Sequence, residues 1–224
     1  MDVIIVSKTH MTNAACIGAL ATSGKYIRLL NAGGSNQPVD TEFEVRQVWE
    51  IEFDERIDKK PPHIEDVIIK SKKLKGTLKD ELTMIQMVQR FNATIWKGSA
   101  DCLFDGLLQW TDSGSGYVSE NGSIPNNSVG FWIPDKDLTK RIVFEKVRYS
   151  YPKTQGWRSL PYVGFEEAVE IIPAGSLVRV SLARWWDTNK TTEHRCSLQL
   201  SGWYDMPKPK KLSTEESEYD DLPF

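Results

Sequence analysis

One stretch of this chain carries apolar residues at helical spacing, and nearly everything else with a pattern reads as strand. Leu78 to Phe91 places apolar residues at 78, 82, 85 and 88, the rhythm of one helix face. Before and after it, apolar residues alternate with polar ones or form short continuous blocks. Strands cannot bury a core singly, so they must pair into sheets. Strands, then one helix near the middle, then more strands predict two small β units with a helical insert.

Val3-Ile4-Ile5-Val6 is a continuous β-branched run and reads as a buried strand. Ala15–Leu20 and Tyr26–Leu30 flank Thr22-Ser23-Gly24, a hairpin pattern. Gln47 to Phe53 alternates and reads as a strand with one wet face. Ile64 to Ile69, with its Lys-rich continuation, reads as another. The Gly, Ser and Asn content of Thr111 to Pro134 predicts a long irregular loop, with room for a short hairpin. Ile142 to Tyr151 reads as one strand. Ser176–Arg184 and Cys196–Tyr204 read as a terminal antiparallel pair. The expected layout is a first unit over 1–97, with the helix near its end, and a second over 98–205, with the long loop. Residues 206–224 form a flexible linker and an acidic tip.

Charge is unevenly placed. The net charge is -3, but residues 215–224 hold five acids and no bases, which leaves 28 basic against 26 acidic residues elsewhere. A nucleic-acid surface would therefore be a local patch on a nearly neutral body. Cys16, Cys102 and Cys196 are few, odd in number and far apart, which argues for a reducing compartment rather than a disulfide framework. No apolar run is long enough for a signal peptide or a membrane span. A cytoplasmic, mostly β protein is expected.

The chain ends Tyr219-Asp220-Asp221-Leu222-Pro223-Phe224. The terminal ring and the α-carboxylate lie side by side, Pro223 stiffens the approach, and acids stand behind. This arrangement resembles the C-terminal tip of bacterial single-stranded DNA-binding proteins, a portable docking peptide for replication, recombination and repair enzymes. The resemblance implies that Phe224 fills a partner's pocket and its carboxylate meets a basic residue. Asp220 and Asp221 would draw the tip to the rim, with Leu222 and Pro223 shaping it. Met206 to Thr214, with two prolines and three lysines, reads as the linker, and about thirteen flexible residues before the tip give a reach of about 20 Å.

A second resemblance covers roughly residues 1–205. The opening strand with Ser7-Lys8-Thr9, Cys16-Ile17-Gly18, and Tyr26-Ile27-Arg28-Leu29-Leu30 is similar to the start of bacterial dual OB domain proteins. So are Val178 to Trp186 and Cys196 to Tyr204 near the close. It implies two OB-like barrels, and some members of that family are linked to bacterial defence.

OB barrels hold single strands by stacking bases on aromatic rings while basic groups follow the backbone. Arg179, Arg184, Trp185, Trp186 and Arg195 around the last hairpin are the best candidates, with Tyr26 and Arg28 sharing a face of the first unit. Only one of Trp185 and Trp186 can point inward on a continuing strand, so the other is expected to be wet. Trp49 and Trp203 read as core. Lys70, Lys72, Lys73, Lys75 and Lys79 read first as a solvated strand edge.

Catalytic and metal signatures are thin. His63-Ile64-Glu65 has the local spacing of a zinc deaminase, but no Pro-Cys-x-x-Cys follows. His194 and Cys196 lack a second ligand pair. Gly114-Ser115-Gly116 precedes no helix pattern. No cofactor or metal is expected, although a Cys–His pair formed in space stays open. The expectation is a non-enzymatic adaptor of DNA metabolism or anti-phage defence. Its partners would be single-stranded DNA or RNA and the enzymes that bind such tips. Two alternatives stand beside it. One is an interaction module that competes with the single-stranded DNA-binding protein without touching nucleic acid. The other is a catalytic subunit.

Overall fold

The computed structural model describes residues 1–79, 83–187 and 193–205. The linker and the tip, including Asp220 to Phe224, lie outside the described residues. The chain opens with β1 (Asp2–Met11), β2 (Ala14–Ala21), β3 (Tyr26–Leu30), β4 (Gln47–Glu55) and β5 (Asp66–Thr77). These five close into a barrel in the order β1-β2-β3-β5-β4, with β3 and β5 parallel and β4 returning to β1.

The unbroken apolar run in β1 has a simple cause: the strand is covered on both faces. Successive side chains point to opposite sides. Val3 and Ile5 enter the barrel interior with Ile17, Leu29, Trp49 and Val67. Ile4 and Val6 face outward into a second cluster with Leu20. A strand wet on one side shows the contrast, since in β4 Trp49 and Ile51 are buried while Glu50 and Glu52 are exposed.

The helix α1 (Met84–Arg90) is shorter than its sequence pattern suggests. Thr83 closes a capping box with Gln86. The Asp205 carboxylate, from the far end of the chain, accepts from the Met84 and Ile85 N–H groups at 3.2 and 2.6 Å. The buried stripe is Met84, Met87 and Val88 rather than a line through Ile85. It packs on Ile4, Val6 and Leu20 of the barrel and on Phe131 and Leu177 of the second unit.

The second unit contains β6 (Ile95–Gly98), β7 (Gln109–Trp110), β8 (Gly116–Ser119), β9 (Val129–Pro134), β10 (Leu138–Val143), β11 (Lys146–Pro152), β12 (Trp157–Pro161), β13 (Ile171–Ile172), β14 (Leu177–Leu182), β15 (Trp186–Asp187) and β16 (His194–Tyr204). One sheet runs β6-β9-β14-β16-β8-β7, with β15 paired to β16. The other runs β12-β11-β10-β13. A core of Leu103, Trp132, Tyr149, Val180, Leu198 and Trp203 fills the space between them.

Two sequence expectations are corrected. Thr111 to Pro134 is not a long irregular loop, because β8 and the whole of β9 lie in it. β8 turns back on β7 as the short hairpin that the sequence left room for, while its other partner, β16, and the partners of β9, β14 and β6, are distant in sequence. Ile142 to Tyr151 is not one strand. Phe144 and Glu145 take left-handed conformations (φ 48° and 61°) and turn β10 back into β11. The hairpin of β2 and β3, the β14–β16 pair and the buried Trp49 and Trp203 are as expected.

Candidate nucleic-acid interface

The seven body residues singled out from sequence fall into two groups. Tyr26, Arg28 and Arg179 sit in the seam where the barrel meets the second unit. Arg179 leaves β14 at a bulge, between Arg179 and Val180, and is 1% exposed. Its Nη1 donates to the Gly130 and Val180 carbonyls at 3.1 and 3.3 Å. Its guanidinium lies 5.1 Å from the ring centres of both Tyr26 and Phe131. Arg28 on β3 ties its Nε to Asp66, and Arg184 reaches the other Asp66 oxygen at 2.6 Å. Burial alone would raise the Asp66 pKa, but the two guanidiniums hold it below the usual carboxylate range.

Trp185, Trp186 and Arg195 form the outer group. Trp185 donates its indole N–H to the Pro61 carbonyl at 2.8 Å and carries Lys60 Nζ 5.3 Å over its ring. Trp186 is 73% exposed, so the expectation of one inward and one wet indole holds. In register, Trp186 faces Arg195, whose guanidinium stacks 4.1 Å over Tyr117 of β8. Arg195 is also held by Glu193 at 2.6 Å, and His194 Nδ1 meets Glu120 at 2.7 Å. This face thus offers three aromatic rings, with Arg195 ion-paired to Glu193 and Lys60 held over an indole. Arg184 is exposed beside it while bound to Asp66.

Of the lysine run on β5, Lys70, Lys72 and Lys75 pair with Asp54, Glu42 and Asp2, as a solvated strand face does. Tyr117 and Lys60 were missed in the sequence, since nothing local links them to β15. A further exposed set was also missed: Ile142, Phe144 and Trp157 at 62, 92 and 47% exposure, with Arg141 4.6 Å over the Trp157 ring. Its signal was the apolar run Ile142-Val143-Phe144, which the reading of 142–151 as one strand absorbed.

A Cys–His pair does form in space. Cys196 Sγ lies 3.6 Å from His63 Nε2, which donates to the Ala183 carbonyl at 3.0 Å. Burial pushes the Cys196 thiol up to about 12 and the His63 imidazole down to about 3. Near neutral pH the pair is therefore a thiol beside a neutral ring, and it fastens the barrel's Lys60–His63 segment to β16. Among the described residues, no group of three or more His, Cys, Asp or Glu could hold a metal ion. No helix of the described residues is long and apolar enough to cross a membrane.

The five-stranded order of the first barrel, closed by a parallel β3–β5 pair, is accompanied by a family match. The model of the dual OB-containing domain matches residues 1–203. The chain belongs to the dual OB-containing domain family. Curated proteins gave no match to this dual OB chain. Solved structures similar to it include the p204 HINb domain, at 14% identity and a TM-score of 0.34, covering 90% of this chain and 91% of that one. The Ifi202 HINa domain in complex with 20 bp double-stranded DNA matches at 10% identity and a TM-score of 0.33, over 90% and 91% of the two chains. A murine DNA-binding protein bound with double-stranded DNA matches at 11% identity and 0.32, over 89% and 91%.

Proposed function

We propose that this dual OB protein is a non-enzymatic binder of single-stranded nucleic acid, acting as an adaptor in DNA metabolism or anti-phage defence. The observation that carries the reading is Trp186, an indole 73% exposed beside the Arg195–Tyr117 stack and the Trp185–Lys60 pair. A large ring kept wet next to cation-stacked rings is what base stacking uses, at about 1–3 kcal/mol per base. Because Arg184 and Arg195 are already paired with acids, few phosphates are neutralised. The salt slope is then shallow, about −1 to −2 in log K against log salt.

The second half of the proposal concerns Asp220, Asp221, Leu222, Pro223 and Phe224. Their resemblance to single-stranded DNA-binding protein tips supports recruitment of replication or repair enzymes.

Fluorescence anisotropy of a labelled poly-dT oligonucleotide across a salt series tests the first half. Saturable binding that weakens about tenfold in Trp186→Ala, with unchanged Tm, is the expected result. No binding at low salt would remove it and favour an interaction module that meets only proteins. That second reading draws on the charge pairing of this face and on the exposed Ile142, Phe144 and Trp157.

A further inference from the structure

A cavity of about 170 Å³ opens in the seam between the barrel and the sheet of β14 and β16. Its inner lining includes Arg28, Arg179, Glu65 and Ser7. Its exposed lining residues, His10, Met11 and Arg184, mark the mouth. Three guanidiniums and one carboxylate line it. That carboxylate, Glu65, is engaged by the Ser128 N–H and hydroxyl.

Arg179 is the anomaly. A guanidinium cannot shed its proton to escape burial, and a buried unpaired charge is costly. Yet among the described residues Arg179 makes no ion pair. Two carbonyls and two ring faces are its company, and its Nε has no partner. Arg28 repeats the pattern, with Nε on Asp66 and Nη2 buried without a partner. Two guanidiniums with unused donors therefore border one cavity, alongside the hydroxyls of Ser7, Thr9, Ser181 and Ser201. Gly18 keeps the space open, since a Cβ there would lie 2.3 Å from Ser7 Oγ and 3.5 Å from Arg179 Nη2.

We infer that this seam cavity is a binding site for an oxyanion group, a phosphate or carboxylate, held between Arg28 and Arg179 with serine and threonine hydroxyls completing the cradle. Planar guanidiniums suit such oxygens, and charge-assisted bonds to them are short and strong. The ligand supplies the directly bonded anion that Arg179 lacks, since Glu65 in the same cavity acts on it through space and makes no ion pair with it. The cavity meets the Trp186 face only at Arg184 on its mouth, and the inner cradle of Arg28 and Arg179 is no part of that face, so the inference does not depend on nucleic-acid binding.

Thermal unfolding of the full chain with inorganic phosphate or acetate, against sodium chloride at matched ionic strength, tests it. Saturating phosphate is expected to raise Tm by about 3–6 °C. Arg179→Met removes a buried unpaired charge, so its Tm without phosphate should equal or exceed that of the parent, while the phosphate shift disappears. Arg28→Lys keeps the charge on Asp66 but loses the free Nη2, and should cut the shift by at least half. Trp186→Ala should leave it intact. A 5′-phosphorylated oligonucleotide that competes with phosphate places the oxyanion on a nucleic-acid end, and failure to compete places it on a small free molecule. No Tm shift beyond the chloride control with either anion, or an equal shift in both arginine variants, would overturn the inference.

Discussion

Asp66 is the residue on which most of the seam depends. It is 3% exposed and meets Arg28 and Arg184. Removing one member of a buried pair strands the other charge, so Asp66→Asn is expected to cost about 3–5 kcal/mol in urea unfolding. His63 makes a different prediction. Its folded pKa lies near 3, below the ordinary 6.5, because burial disfavours the imidazolium. The unfolded chain therefore binds a proton that the folded chain refuses between those values. The stability from His63 is complete above pH 6.5 and falls as pH drops toward 3, by about 1 kcal/mol per pH unit. At still lower pH Asp66 adds to the loss, because its folded pKa is held down by Arg28 and Arg184 and the unfolded chain protonates it first. Tm measured from pH 7 to 4.5 should decline, and His63→Gln should flatten that decline. In the sequence Arg179 reads as a surface arginine. Its burial depends on Tyr26 and Phe131, 153 and 48 positions away, and nothing near position 179 signals those neighbours.

At the level of elements, the pattern carried far where burial is local. The alternation in β4 and the doubled apolar face of β1 are both visible in composition along the strand. It failed where pairing is distant or a turn lacks glycine. β8 and β9 are short, each carries one Gly, and each relies on a strand more than forty residues on, β16 and β14. The turn at Phe144 and Glu145 has neither Gly nor Asn to announce it. The same distant pairing makes Gly130 sensitive. A Cβ at that position of β9 would sit 2.2 Å from the Trp96 ring on β6. Gly130→Ala should therefore lower stability by about 1–3 kcal/mol through overpacking, measured as a fall in denaturation midpoint with unchanged m-value.

For the whole molecule, the acidic tail and the paired face make a joint prediction. If residues 215–224 compete with nucleic acid for the body, a chain ending at 214 should bind poly-dT more tightly at low salt and equally at high salt. Unchanged affinity at low salt would remove the competition. The site as a whole was half legible. Trp186, Arg195 and Arg184 are close in sequence and found themselves a common surface. The cavity of Arg28 and Arg179 needed two units folded against each other before it existed.

Ile4, Val6 and Leu20 from the barrel, the stripe of α1, and Phe131 and Leu177 from the second unit share a single apolar cluster. Tyr204, near the end of β16, donates its hydroxyl to the Val6 carbonyl, and Asp205 caps α1 from the same end. The two units are therefore not beads on a string. A hinge between them would have to open an oily joint, so their spacing is set at folding rather than at encounter. A strand or partner that touched both units would therefore meet a fixed spacing, one built in by the shared apolar cluster.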